Sequence, residues 1–162
     1  MYGVKPDIVT IGKGLGNGFP LAAVVCTREV ANSLDEESRE LFSTFGGNPV
    51  ACAAGLAVLE YIDDNSLMNN AYVVGAELKS RLLEMKSEKI VCVRGEGLFV
   101  GIELSSSIVA GTLLRELKSK HKIIASLDGP ADNVMVVKPP LTWTLDEVFY
   151  FCEAVREVLI NM

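Results

Sequence analysis

The chain has 162 residues, 49% of them hydrophobic and 22% charged, with a net charge of −6. That length supports one domain or two small lobes with a packed core, and the acidic balance argues against nucleic acid or an anionic membrane as the main partner. The longest apolar run, the ten residues Val50–Leu59, is too short to cross a bilayer, so a mean hydropathy of +0.32 points to apolar surface covered by a partner or a further domain.

In chain order, Ile8–Ile11 reads as a short buried strand and Leu21–Thr27 as another, joined by a glycine loop. Arg28–Ser33 and its acidic continuation to Glu40 read as an exposed helix or loop. Ser43–Asn48 is a glycine-bearing turn, and Asn48-Pro49 opens a helix to about Ile62. Asparagine caps such a helix through its side chain, and proline loses no needed donor at the first position. The alanines at 51, 53, 54 and 57 would let another backbone approach closely. Asp63–Ser66 breaks this helix. A second one runs to about Lys86, with Val73, Leu78, Leu82 and Met85 as its apolar stripe and Lys79, Arg81 and Glu84 facing water.

Strands are then expected at Ile90–Val93 and Leu98–Leu104, around the turn Arg94-Gly95-Glu96-Gly97. A helix over Val109–Lys120 follows, then strand Lys122–Ser126, the turn Asp128-Gly129-Pro130 and strand Val134–Val137. The last helix starts at Thr144, where Thr144 and Glu147 have capping-box spacing. The chain thus divides into a first lobe over residues 1–65, a connecting helix over 66–88 and a small α/β lobe over 89–162. The four cysteines are widely spaced with no CxxC pair, and the lone His121 sits in the basic run KSKHK. No metal site is expected, and a reducing, intracellular compartment fits this cysteine usage.

The chemistry-bearing stretch is DIVTIGKGLGNGFP, which sets Lys13 among glycines 12, 14, 16 and 18. A P-loop would need serine or threonine after the lysine, but Gly14 stands there and Asp7 holds the first glycine position. A GxGxxG fingerprint would need glycine at Asn17. Two readings stay open: a solvated lysine in a flexible turn, or a covalent amine catalyst. The second requires a partly neutral amine held against an aldehyde, with bare backbone beside it for a planar cofactor. Pyridoxal phosphate is the usual aldehyde, and its phosphate needs donors. STFGGNP, Ser43 to Pro49, offers a hydroxyl on Thr44, backbone N–H groups and a helix N-terminus.

PDIVTIGKGLGNGFPLAAVV followed by FSTFGGNPVACAAGLAVLE resembles the class-III (omega) aminotransferases, and VRGEGLFVGIEL resembles the segment opening that family's C-terminal domain. The resemblance covers essentially the whole chain. It implies an α/β fold, the C-terminal part of a fold-type-I pyridoxal-phosphate-dependent transferase: the end of the large cofactor domain plus the small C-terminal domain. It implies that Lys13 forms the internal aldimine with pyridoxal 5'-phosphate, and that Thr44 contacts the cofactor phosphate of the neighbouring subunit in a homodimer. It also implies that this is about the C-terminal half of such an enzyme, with Met1 an internal residue. The upstream half of the family supplies a phosphate loop, a stacking aromatic ring and an aspartate for the pyridine nitrogen. Without them this chain alone is expected to be inactive and aggregation-prone.

Many family transaminases carry an arginine for the substrate carboxylate three residues before a proline pair like Pro139-Pro140, whereas this chain has Val136. An alkyl group cannot replace a bidentate clamp. DGPADNVMVVKPPL, Asp128 to Leu141, is similar instead to the branch that groups alanine-glyoxylate aminotransferase 2-like proteins with ethanolamine-phosphate phospho-lyases. Lys138 is the candidate anion contact there. The resemblance therefore implies phospho-lyase-type elimination on a small phosphoethanolamine-like amine. Its alternatives are transfer of an amino group to a 2-oxo acid such as glyoxylate or pyruvate, and a catalytically inactive chain acting as a subunit partner. A mitochondrial address follows from the family, with any import segment upstream of this chain.

Overall fold

The computed structural model describes residues 3–36 and 42–162, a mixed α/β chain that forms two compact units, Met1–Asn65 and Ser66–Met162. In the first unit, β1 (Ile8–Ile11) pairs antiparallel with β2 (Ala23–Cys26), with Ile8 opposite Cys26 and Ile11 opposite Ala23. Helix α1 (Arg28–Glu36) follows, and the expected acidic continuation lies outside the described residues from 37 to 41. Helix α2 (Pro49–Asp64) then runs two residues past the expected end, to an Asn65 cap.

The expectation that β1 is buried is corrected: all four of its residues are exposed. Apolar alternation shows which residues favour a strand, but burial needs a second layer, and a two-stranded ribbon supplies none. Val24 is 67% exposed and Leu56, on α2, 60%. Ala51 is the buried hydrophobic side chain among the described residues of this unit.

The second unit has a core. Its antiparallel sheet has the order β3-β4-β6-β5, from Ile90–Glu96, Phe99–Leu104, Val134–Val137 and Ser126–Asp128. Helices α3 (Leu67–Glu84), α4 (Ser107–His121) and α5 (Leu145–Ile160) complete the unit. Strand alternation sends Val100, Ile102 and Leu104 of β4 and Met135 and Val137 of β6 into one cluster with Leu78, Leu82, Leu113, Leu117, Phe151 and Val155 from the helices. On the opposite side of β6, Val136 is half-buried and pairs with Gly101 and Ser126. An antiparallel sheet tolerates one such uncovered face.

Several boundaries moved for identifiable reasons. Strand β3 continues through Glu96, because the hairpin turn is Gly97-Leu98, with Gly97 at φ +53°. Strand β5 begins at Ser126, not Lys122: Lys122 closes α4 in the left-handed region at φ +58°, and the chain stays irregular to Ala125. On α3 the buried stripe runs through Val74, Leu78 and Leu82, while Val73 is exposed. Lys79 and Arg81 do not simply face water. Lys79 Nζ donates to the Gly95 carbonyl at 2.9 Å, and Arg81 lies 3.9 Å over the Phe149 ring while its Nε donates to Glu77 at 2.6 Å. The Thr144–Glu147 capping box is present, with Thr144 N–H donating to Glu147 Oε2 at 2.7 Å. Among the described residues no helix is long and apolar enough to cross a membrane, and no cluster of three or more histidine, cysteine or acidic side chains could hold a metal.

Candidate active site

The Lys13 loop is a tight 3-10 turn at the end of β1. Leu15 N–H donates to Gly12 O at 3.2 Å, Gly16 N–H to Lys13 O at 3.3 Å and Phe19 N–H to Gly16 O at 3.0 Å. Lys13 itself lies at φ +49°, a left-handed conformation that costs a side-chain-bearing residue about 1–3 kcal/mol. The side chain of Lys13 is exposed.

The glycines around it divide by role. A Cβ at Gly16 would lie 2.0 Å from the Phe19 carbonyl oxygen, so that glycine is what lets the turn close. A Cβ at Gly14 or Gly18 would meet nothing within 4 Å. These two leave open, bare backbone on the C-terminal side of the lysine. Helix α2 approaches the loop at Gly55, where a Cβ would stand 2.4 Å from Leu21 Cδ2. The small-residue face of α2 thus serves the close approach expected of it, through Ala51 and Gly55.

Thr44 occupies the exposed turn before α2, closed by Gly46 N–H to Ser43 O at 3.0 Å and Asn48 N–H to Phe45 O at 3.2 Å. Asn48 caps the helix as expected, and in doing so it corrects another expectation. Its Oδ1 accepts from Val50 N–H at 3.0 Å and Ala51 N–H at 3.2 Å, so those first amides of α2 are already satisfied and are not open to an anion. Thr44 Oγ1 has no hydrogen-bond partner among the described residues. The hydroxyl and the turn amides of Phe45 and Gly47, which make no bond among the described residues, are the donors here, and the helix end is not. Gly55 lies seven residues beyond the Asn48 cap, about 10 Å along the helix axis. Lys13 and Thr44 therefore border one helix at different levels, with no bond between them.

The donor set fits a pyridoxal phosphate group. It provides one primary amine, bare backbone following it for a planar ring, and a hydroxyl with no partner among the described residues for a phosphate oxygen.

In the second unit, Lys138 and Pro139 line two clefts of about 380 and 410 Å³. The first also contains Lys122, Val136, Trp143 and Glu147; the second contains Met68, Tyr72 and Phe99. Val136 thus borders a cleft, and no positive charge stands at that position. Two polar groups of this unit carried no sequence signal. Asn70 Nδ2 donates to the carbonyls of Leu141 and Trp143, and Arg94 pairs with Glu103 across β3 and β4. The Glu103 carboxylate is the main cause that raises the Arg94 guanidinium above its ordinary value.

A match to the family Aminotransferase class-III runs over residues 1–159. The chain belongs to the class-III aminotransferases. Similar curated members include ethanolamine-phosphate phospho-lyase homolog 1 of Caenorhabditis elegans, 37% identical, matching 99% of this chain and 36% of that protein. Alanine–glyoxylate aminotransferase 2 homolog 2, mitochondrial, of Arabidopsis thaliana is 42% identical over 99% of this chain and 35% of its own length. Among solved structures, a phospholyase from Arthrobacter in complex with phosphoethanolamine superposes with a TM-score of 0.94 at 34% identity, over 99% of this chain and 40% of that one. An amine transaminase from an uncultivated Pseudomonas species, in its PLP-bound form, gives 0.86 at 28% identity, over 98% of this chain and 39% of that one. The chain spans about a third of the length of the curated class-III relatives it matches, rather than the half that the resemblance suggests.

Proposed function

We propose that this chain is the lysine-bearing part of a pyridoxal-phosphate enzyme that eliminates phosphate from a small phosphoethanolamine-like amine. The observation that carries the reading is the Lys13 loop, an exposed amine in a left-handed turn followed by open glycine backbone. Val136 favours elimination, because a 2-oxo acid or amino acid substrate has a carboxylate that an alkyl side chain cannot grip. The phospho-lyase relative from Caenorhabditis and the Arthrobacter phospholyase support the same choice. In this reading residues 1–65 end the large cofactor domain, 66–88 form the connecting helix and 89–162 the small C-terminal domain. The enzyme is a homodimer, with Thr44 of one subunit donating to the phosphate held by its partner. The separation of Lys13 and Thr44 along α2 is consistent with that division. A mitochondrial address is supported by the Arabidopsis relative, which is named mitochondrial.

Pyridoxal phosphate, when bound, supplies an aldehyde for the amine and a ring that takes up negative charge. Lys13 Nζ would hold it covalently. Once freed, the same nitrogen takes the proton from the substrate carbon next to the amine, as a general base. In elimination the electron pair left on that carbon forms the new carbon–carbon double bond. The C–O bond to phosphate breaks and phosphate leaves with its electron pair. Lys138, exposed at the rim of both clefts of the second unit, is the candidate contact for an anion.

A second reading, amino-group transfer to a 2-oxo acid, is favoured by the relatives named alanine–glyoxylate aminotransferase 2 homologs. The third, an inactive subunit partner, is favoured by the exposed apolar surface of the first unit. One comparison separates the three. The chain as given, and the chain extended upstream to the length of its relatives, are each incubated with pyridoxal phosphate, reduced with borohydride and mapped by mass. Phosphate release from phosphoethanolamine and amine transfer to glyoxylate are then assayed. The expected result is Lys13 labelling with phosphate release in the extended protein and neither in the short chain. A reduced adduct at another lysine in place of Lys13 would remove Lys13 from its role. Transfer without phosphate release would select the second reading, and an inactive extended protein the third.

A further inference from the structure

We propose that Asn70 is a positioning residue for the substrate side of the second unit, acting by clamping the segment from Pro139 to Trp143. Asn70 lies in the first turn of α3, and its Nδ2 donates one proton to Leu141 O at 2.7 Å and the other to Trp143 O at 2.9 Å. The clamped segment joins β6 to α5. It opens with two prolines, which have no N–H to give. Its own backbone contributes a single tie among the described residues, Trp143 N–H to Pro140 O at 3.1 Å, so the carboxamide from 71 and 73 positions away is the long-range anchor of its outer half. This segment and the adjoining Lys138 are the wall that the two clefts share. Met68 and Ala71, which flank Asn70 on α3, line the second cleft directly.

The chemistry of the clamp is specific. Two carbonyl oxygens face one nitrogen, so the residue must offer two donors at one atom. Among side chains of this size only a carboxamide does so. An ionised aspartate would place an acceptor against two acceptors and push the wall away. A protonated aspartate would restore one bond of the two. The clamp fixes where Lys138 is held, and to that extent it rests on the reading of Lys138 as the anion contact. The test below contains neither substrate nor cofactor, so its outcome is separate from that of the functional reading.

Trp143 is the sole tryptophan of the chain and lies within the clamped segment, half-buried, with its ring 5.9 Å from that of Phe151. Its fluorescence therefore reads the wall itself. The experiment measures acrylamide quenching of Trp143 from pH 7 to pH 4 in the wild-type chain, N70D and N70A, with circular dichroism as the check on folding. Loss of two such bonds shifts the docked-to-released ratio of the segment by roughly 5–30-fold. Both variants should accordingly quench more strongly than wild type at pH 7. On acidification N70D should return toward wild type, because its carboxyl, facing two carbonyls, titrates above the ordinary aspartate value. N70A should not return. Comparing the two variants at each pH removes the contribution of Glu147, which titrates beside Trp143 in both. If N70A does not fold, N70S takes its place, since a serine hydroxyl is too short to reach the carbonyls. Wild-type quenching in the folded variants would overturn the proposal. So would parallel behaviour of N70D and its apolar counterpart at every pH, which would mark a loss of packing rather than of donors.

Discussion

Glycine-to-alanine substitution should have opposite signs in two helices of the second unit, and the structure sets both magnitudes. At Gly75 of α3 a Cβ would lie 2.0 Å from the Gly97 carbonyl oxygen, 2.2 Å from its carbon and 2.8 Å from its Cα. All three are backbone atoms of a hairpin turn held at φ +53°, so no side chain can rotate out of the way. Helix and turn must part by more than about 1 Å to reach ordinary contact distances. Overpacking of this kind costs about 1–3 kcal/mol, and the hardness of a backbone clash places it at the upper end. Alanine's better helix propensity returns about 1 kcal/mol, leaving G75A destabilised by roughly 2 kcal/mol. At Gly111 of α4 a Cβ would meet nothing within 4 Å, so G111A keeps the whole propensity gain of about 0.5–1 kcal/mol. For a unit of this size 1 kcal/mol is worth about 4–8 °C in Tm. G75A should therefore melt roughly 8–16 °C below wild type and G111A a few degrees above it. Trp143 fluorescence follows this unit alone, and urea midpoints with an unchanged slope check that the denatured state has not moved. A G75A variant that melts at or above wild type would refute the packing of α3 against the β3–β4 turn.

Alkylation with iodoacetamide at pH 8 should modify the exposed Cys26 and Cys52 well before Cys152, whose thiol burial pushes up to about 11; equal rates in the native chain would contradict that burial. Glu147 is held below the usual carboxylate range by the Thr144 hydroxyl and N–H. A lowered folded value means that its contribution is present above the unfolded value, about 4.3, and is lost as pH falls through the folded one. The difference in urea midpoint between wild type and E147Q should therefore shrink from pH 7 to pH 3, and a constant difference would show that the cap does not titrate with stability. In the extended protein, T44A should weaken retention of pyridoxal phosphate roughly ten- to a hundredfold, the loss of one hydrogen bond to a charged group, and unchanged affinity would end its phosphate role.

Local rules served well where a feature is decided by a few neighbouring residues. Asn48-Pro49 at the start of α2, the Thr144–Glu147 box and the strand Val134–Val137 all stand where propensity and capping chemistry place them. Features set by a distant partner were not legible. The apolar run of β1 specifies a strand but not its burial, which depends on what lies against it. Val73 and Val74 are interchangeable to a periodicity count, and only the core of the second unit selects Val74. The Asn48 side chain claims the amides that a reader of STFGGNP would leave open, because one oxygen accepts from both. Lys13 and Thr44 as a pair came from the family resemblance; the residues alone left a solvated lysine equally open. Asn70 could not have been found in that way, since its partners are carbonyls 71 and 73 positions further along the chain.

Chemistry and stability are divided between the two units, and this decides how any variant is to be read. Lys13, Thr44 and their glycine turns belong to a unit whose one buried hydrophobic side chain among the described residues is Ala51, whereas the second unit encloses a continuous core. A left-handed lysine is strain without a compensating core beneath it, and relieving it as K13G would favour the fold while removing the amine. Loss of reactivity in K13A or T44A therefore cannot be explained by collapse of the second unit, whose Trp143 signal should stay as in wild type. Conversely, a substitution such as G75A changes that signal without touching the lysine loop. The same separation bears on α2. Its apolar residues on all sides, with Leu56 exposed next to the buried Gly55, are the pattern of a helix meant to be covered. A cover over α2 would bury Lys13 Nζ only if it also reached the glycine loop, and that is the condition an amine catalyst would place on it.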